Sequence, residues 1–191
     1  MATYPMPYPR SRSAPVLLLV SLLAAAPAGA QETSSGNPPA ADAQAAPAPA
    51  PPCSTPEHRR FDFWEGTWEV RNRAQPDRRP ATNRLTLVEG GCVLREEYAS
   101  GPYSGRSLSF YDARDGVWRQ TWIDNQGQPL HLEGGWRDGA MVMEQRREGT
   151  IDRITWTPLE DGNVTQVWTR SEDGGESWTT VFDGLYVPAG G

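Results

Sequence analysis

Few residues in this chain could carry out chemistry, and one adjacent pair of acids stands out. Glu96 and Glu97 lie in a segment with the alternation of a β-strand, so one of the two carboxyl groups must point into the protein interior. A buried carboxylate needs a partner, and Arg95, Arg106 or a bound ligand could supply one. The pair is therefore the candidate site for acid–base catalysis.

The histidines and cysteines predict neither a metal centre nor a bound cofactor. His58 and His131 are isolated in the sequence and cannot form a metal site by themselves, although one histidine could bind a haem iron. The flanking Leu130 and Leu132 predict that His131 faces solvent. Cys53 and Cys92 are the two cysteines, and in an oxidising compartment such a pair forms a disulfide more often than two free thiols.

A regular series of turn sequences indicates antiparallel strands from Pro80 onward. Their glycines recur every ten to thirteen residues, the spacing of hairpins in an all-β meander: Gly116, Gly127, Gly139, Gly149, Gly162 and Gly174. About ten strand-length runs of alternating polarity are separated by these turns. They predict an up-and-down antiparallel β-barrel, with a two-sheet sandwich as the alternative.

An aromatic-rich stretch precedes the first predicted strand. Phe61, Phe63, Trp64 and Trp68 crowd around Gly66, and only the residues after Gly66 alternate as a strand would. We expect an N-terminal aromatic plug that closes one end of the barrel. Trp64, Gly66 and Trp68 are accordingly assigned structural roles.

Several strands have one face that combines aromatic rings with amides, and we expect these faces to line the barrel. The predicted ligand-binding residues are Trp118, Gln120, Trp122, Trp156, Gln166, Trp168, Arg170 and Tyr186. Near the C-terminus, the face with Trp178, Phe182 and Tyr186 is the expected interior, and the opposite phase stays open. Because a buried amide without a partner is costly, Gln120 and Gln166 should bond each other, Arg170, Tyr186, a ligand or water.

The N-terminal part of the chain reads as an export signal followed by a tether. Arg10 and Arg12 precede an apolar run and a small-residue cleavage pattern, which predicts a signal peptide over residues 1–30 and a periplasmic or secreted protein. Residues 31–56 are rich in Ala and Pro and predict a disordered tether before a barrel domain at 57–188. The formal charge of −6, with no lysine, argues against nucleic acid and anionic membranes as partners.

Taken together, these motifs resemble a bacterial family of exported, lipocalin-like (calycin) β-barrels of unknown function. The segments that carry the resemblance are Phe61-Asp62-Phe63-Trp64 with Gly66 and Trp68, Gly91-Cys92, Gly105–Leu108, Trp118–Trp122 and Ser171–Trp178. It implies a barrel like those of lipocalins and fatty-acid-binding proteins, with a distant similarity to nitrobindin-like haem barrels. Those barrels take their haem ligand from near the chain end, where this chain has no histidine, so haem binding is not expected.

Three functional hypotheses follow from these observations. The leading hypothesis is a protein that binds a small apolar or amphipathic molecule inside the barrel. The alternative is a structural or interaction module whose interior is filled by its own tryptophans. The third is an enzyme that uses Glu96 or Glu97. The volume and lining of the barrel interior separate the first two hypotheses.

Overall fold

The computed structural model describes residues 50–190, which belong to one compact unit, Pro47–Gly191. The predicted signal peptide and residues 31–49 of the predicted tether lie outside the described residues. Within residues 50–190, no helix is long and apolar enough to cross a membrane.

Ten antiparallel strands form a closed barrel, as the turn spacing predicts. They are β1 (Gly66–Asn72), β2 (Ala81–Val88), β3 (Val93–Ser100), β4 (Tyr103–Asp112), β5 (Val117–Asp124), β6 (Pro129–Arg137), β7 (Ala140–Arg147), β8 (Thr150–Pro158), β9 (Val164–Ser171) and β10 (Thr179–Pro188). Each strand pairs with its sequence neighbours, and β10 returns to pair with β1. Closure leaves no unpaired sheet edge, and it excludes the two-sheet alternative.

Tight turns impose this up-and-down order. In the connection between β6 and β7, Asp138 and Gly139 both have a positive φ, 51° and 79°. Two such residues form the hairpin turn whose twist matches that of the flanking strands, and Asp-Gly is a favoured pair for it. Along the strands, side chains then alternate between the interior and solvent, as β2 shows with buried Ala81, Asn83 and Leu85.

The aromatic plug closes one end of the barrel. Asp62–Trp64 forms a single 3-10 turn, and the rings of Phe61 and Trp64 stack with centroids 5.0 Å apart. Both rings are fully buried, and both contact the ring of Trp156 on β8. The Trp68 indole N–H donates a 3.0 Å hydrogen bond to the Trp64 carbonyl, which fixes the plug to β1.

A Cys53–Cys92 disulfide ties the segment before the plug to the turn between β2 and β3, as predicted. The Arg59 guanidinium reinforces this connection by donating a hydrogen bond to the carbonyl of Gly91. The covalent link therefore holds the plug segment against the same end of the barrel.

The expected interior phase is wrong at the beginning of the last strand. Pairing between β9 and β10 shifts between Thr180 and Phe182, so Val181 is an extra residue in a β-bulge. The bulge reverses the alternation, and Trp178 lies on the outer surface with the Arg153 guanidinium 4.0 Å from its ring centroid. After the bulge, Phe182 and Tyr186 follow the expected phase and pack against the core.

Candidate functional site

A cavity of about 230 Å³ occupies the interior beyond the plug. Its lining residues are Glu96, Tyr98, Tyr103, Gln120, Trp122, Leu130, Ile154, Trp156, Gln166, Trp168, Val181, Phe182 and Tyr186. The strand register places Trp122, Trp168 and Phe182 at the barrel end opposite the plug. The barrel is thus solid at one end and hollow towards the other.

Six of the eight predicted ligand-binding residues line this cavity: Gln120, Trp122, Trp156, Gln166, Trp168 and Tyr186. Trp118 belongs instead to the plug end, where its ring meets Phe61 edge-on and its indole N–H donates to the Glu57 carbonyl. The lining also includes Tyr98 and Tyr103, which are not among the residues predicted from the sequence. Tyr98 lies two residues from Glu96 on the same strand face, a spacing that could have revealed it.

Arg170 lies outside the cavity lining, and an acid neutralises it. Its Nε donates a 2.8 Å hydrogen bond to Asp152, whose side chain is almost fully buried. The indole N–H of Trp168 donates to the same Asp152 oxygen, also at 2.8 Å. The Arg170 guanidinium is therefore engaged at the far end of the barrel, where its Cζ also lies 5.5 Å from the Trp168 ring centroid.

Glu96 is the inward-facing member of the acidic pair. It lies in the middle of β3 and is almost fully buried, whereas Glu97 points outward, 3.7 Å from the guanidinium of Arg106. The partners of Glu96 are uncharged: Asn83 donates to Oε1 at 2.8 Å and Ser107 donates to Oε2 at 2.6 Å. Neither is one of the partners expected from the sequence.

Burial has the largest effect on the pKa of this carboxyl group. It raises the pKa of Glu96 from 4.5 to about 7, and the hydrogen bonds from Ser107 and Asn83 offset part of that increase. Burial also raises the pKa of Tyr98 and holds that of Tyr186 well above its usual range. The cavity therefore holds neutral phenols around one carboxyl group that titrates near neutrality.

Both predicted interior amides have partners. The Tyr186 hydroxyl donates to Oε1 of Gln166, one of the contacts expected from the sequence. Gln120 donates a 3.0 Å hydrogen bond from Nε2 to the Ser109 hydroxyl on the neighbouring strand. These bonds fix the orientation of the two amides, because their partners Tyr186 and Ser109 are themselves held in the barrel wall.

Two glycines leave room for rings that border the cavity. A Cβ at Gly105 would lie 2.1 Å from the Trp122 ring, and one at Gly184 would lie 2.6 Å from the Phe182 ring. Both distances are far below van der Waals contact. The rings of Trp122 and Phe182 therefore pack directly against the backbone at Gly105 and Gly184.

The backbone pairing between β6 and β7 covers only part of the two strands. Their pairing runs from Arg137–Ala140 to Glu133–Glu144, and beyond this point the Gln145 side chain accepts a 2.6 Å hydrogen bond from the His131 backbone N–H. An outer cleft of about 670 Å³ lies at this divergence. Gln120 borders both the cleft and the interior cavity.

The other candidates from the sequence have local structural roles. The His131 ring is exposed, as predicted, and His58 packs edge-on against Tyr111. The turn between β9 and β10 is held by Asp173, which accepts hydrogen bonds from Ser171 and from both the backbone and the hydroxyl of Ser177. Within the described range 50–190, no cluster of three His, Cys, Asp or Glu residues could hold a metal ion.

No protein-family model matches the chain, and no curated protein sequence matches it. The closed, ten-stranded antiparallel barrel is consistent with a calycin or lipocalin-like fold. The narrower bacterial family suggested by the sequence motifs gains no support from these comparisons.

Proposed function

We propose that this protein binds a compact amphipathic small molecule inside the hollow half of its barrel. The observation that carries the proposal is the cavity of about 230 Å³, whose walls are mostly aromatic and whose polar groups come from different strands. An apolar cavity of roughly 150 Å³ accommodates benzene, whereas sites for drug-sized ligands measure roughly 300–1,000 Å³. The ligand should therefore consist of about one ring or a short chain with a polar group.

The plug and the disulfide support a binding role because they keep the cavity in one shape. Phe61 and Trp64 already fill the closed end, so no side chain there has to become ordered when the ligand binds. Trp156 forms the boundary: it packs on both plug rings and also lines the cavity. Because the cavity exists before the ligand binds, little binding free energy is lost to ordering side chains. The disulfide also fits a protein that acts after export, the compartment suggested by the predicted signal peptide.

Cavity filling provides the direct test. Ile154 lines the cavity, and Ile154→Phe should occupy part of it. Leu108 lies on the outer face of β4 and is half exposed, so Leu108→Phe is the matched control. Binding of single-ring compounds should be measured by calorimetry and by quenching of tryptophan fluorescence. We expect Ile154→Phe to weaken binding at least tenfold, equivalent to about 1.4 kcal/mol, and Leu108→Phe to leave it unchanged.

Native mass spectrometry of protein purified without organic solvent adds an independent measurement, since a retained mass would identify a ligand. Failure of every single-ring compound to bind the unmodified protein at millimolar concentration, with no retained mass, would reject the proposal. The barrel would then be a structural or interaction module that needs no ligand.

A further inference from the structure

The charges around the cavity restrict the chemistry of its ligand. Of residues 50–190, Glu96 is the only ionisable acid or base in the lining apart from the tyrosines Tyr98, Tyr103 and Tyr186. Burial raises the pKa of all three phenols, that of Tyr103 to about 12, so they are neutral at physiological pH. The cavity therefore carries either no charge or one negative charge.

The immediate neighbours of Glu96 do not compensate that charge. Asn83 on β2 and Ser107 on β4 each donate one hydrogen bond, and the residue facing Glu96 from β10 is the neutral Tyr186. Burial and the hydrogen bonds from Ser107 and Asn83 set the pKa of this carboxyl group. A buried carboxylate with two neutral donors is only partly stabilised, because a nearby positive charge is the most effective compensation.

Two arginines lie near the hollow end of the barrel without lining the cavity: Arg78, whose charge offsets part of the increase in the Tyr98 pKa, and Arg170. Arg170 is bound to Asp152 and does not line the cavity. The aromatic walls also favour a positively charged ligand, because the faces of Trp122, Trp156 and Trp168 attract cations through their ring quadrupoles. An anionic ligand would meet repulsion from Glu96, and no cation among the described lining residues would offset it.

We propose that the ligand carries a protonated amine on a body about the size of one aromatic ring, and that Glu96 binds this amine. The inference rests on the proposed function and narrows it to one class of ligand. The ammonium group would lie in the middle of the barrel and complete an ion pair with Glu96. The ring would lie among the tryptophan and tyrosine side chains towards the open end.

Three compounds with the same ring and different heads test the inference: benzylamine, benzyl alcohol and benzoate. Calorimetry at pH 8 should show benzylamine binding at least tenfold more tightly than benzyl alcohol, with no measurable binding of benzoate. Glu96→Gln should abolish the preference for the amine, so that benzylamine binds no more tightly than benzyl alcohol. Glu97→Gln, on the outer face of the same strand, is the control and should change neither affinity.

A pH series on the unmodified protein tests the same point without any variant. Because the pKa of Glu96 is about 7, its ionised fraction rises about tenfold between pH 6 and pH 8, and the affinity for benzylamine should rise in proportion. The affinity for benzyl alcohol should stay level or fall.

Equal binding of the alcohol and the amine, or an amine preference that survives Glu96→Gln, would overturn the inference and leave the proposed function intact. Failure of all three compounds to bind would overturn both.

Discussion

Ser107 donates a 2.6 Å hydrogen bond to Oε2 of Glu96 in the middle of the barrel, and Asn83 donates a second bond to Oε1. These two neutral donors keep the carboxyl group oriented towards the cavity. They do not compensate its burial, because the pKa of Glu96 remains raised to about 7. The protein therefore retains an acid at a position where a neutral residue would cost less stability. Such a cost is common at ligand-binding and catalytic sites.

The first prediction concerns stability as a function of pH. Between pH 4.5 and about 7 the folded protein holds the Glu96 proton and the unfolded chain has released it, so the free energy of unfolding falls as pH rises through this window. Glu96→Gln removes this dependence. Its stability relative to the unmodified protein should be about 2–3 kcal/mol more favourable at pH 8 than at pH 5. Urea unfolding at both pH values measures the difference.

Glu97→Gln is the control for this measurement, since Glu97 lies on the same strand and faces solvent beside Arg106. Its relative stability should be the same at both pH values within about 0.5 kcal/mol. If the stability of Glu96→Gln relative to the unmodified protein were also the same at both pH values, Glu96 would titrate normally in the folded protein.

The second prediction concerns the plug. Trp68 is buried, and its N–H bonds the Trp64 carbonyl, so Trp68→Ala should reduce the free energy of unfolding by about 3–5 kcal/mol. Trp178→Ala is the comparison, because that ring lies on the outer surface under Arg153 and should cost only about 1 kcal/mol. Similar losses for the two variants would contradict the assignment of Trp68 to the core.

The third prediction concerns the disulfide. The Cys53–Cys92 bond joins residues 39 positions apart, and opening a loop of this length should cost about 3–4 kcal/mol of stability. The double variant Cys53→Ser, Cys92→Ser should therefore unfold at a lower urea concentration than the oxidised protein. A loss below about 1 kcal/mol would mean that the plug segment is held without the disulfide.

The fourth prediction concerns the pair formed by Gln120 and Ser109. Gln120→Leu leaves the buried Ser109 hydroxyl without its donor and should cost about 1–2 kcal/mol. Adding Ser109→Ala removes both polar groups and should recover most of this loss. A double-mutant cycle by urea unfolding tests the pairing, and strictly additive losses would show that the two side chains act independently.

The strand number, the up-and-down order and much of the interior face could be predicted from the sequence. Turn residues such as Asp138-Gly139 act locally, so their spacing alone reveals the hairpins. The alternation within one strand is also local, which is why Gln120 and Trp122 were correctly placed inside. The Cys53–Cys92 disulfide was predictable as well, because the chain has two cysteines.

Other features depend on contacts between segments that are distant in sequence. The bulge at Val181 exists because β10 must match the register of β9, and it moves Trp178 outside against the local alternation. Asp152 binds Arg170 because the register of β8 and β9 places them opposite each other.

The hollow part of the barrel also required the tertiary structure. Whether rings fill an interior depends on how they pack across it, and here the plug side chains occupy one end while the Trp122 ring lies against the wall at Gly105. The sequence determined a barrel in which one of Glu96 and Glu97 points inward among aromatic side chains. The closed geometry determined that this group is Glu96, that its partners are uncharged, and that it borders a cavity.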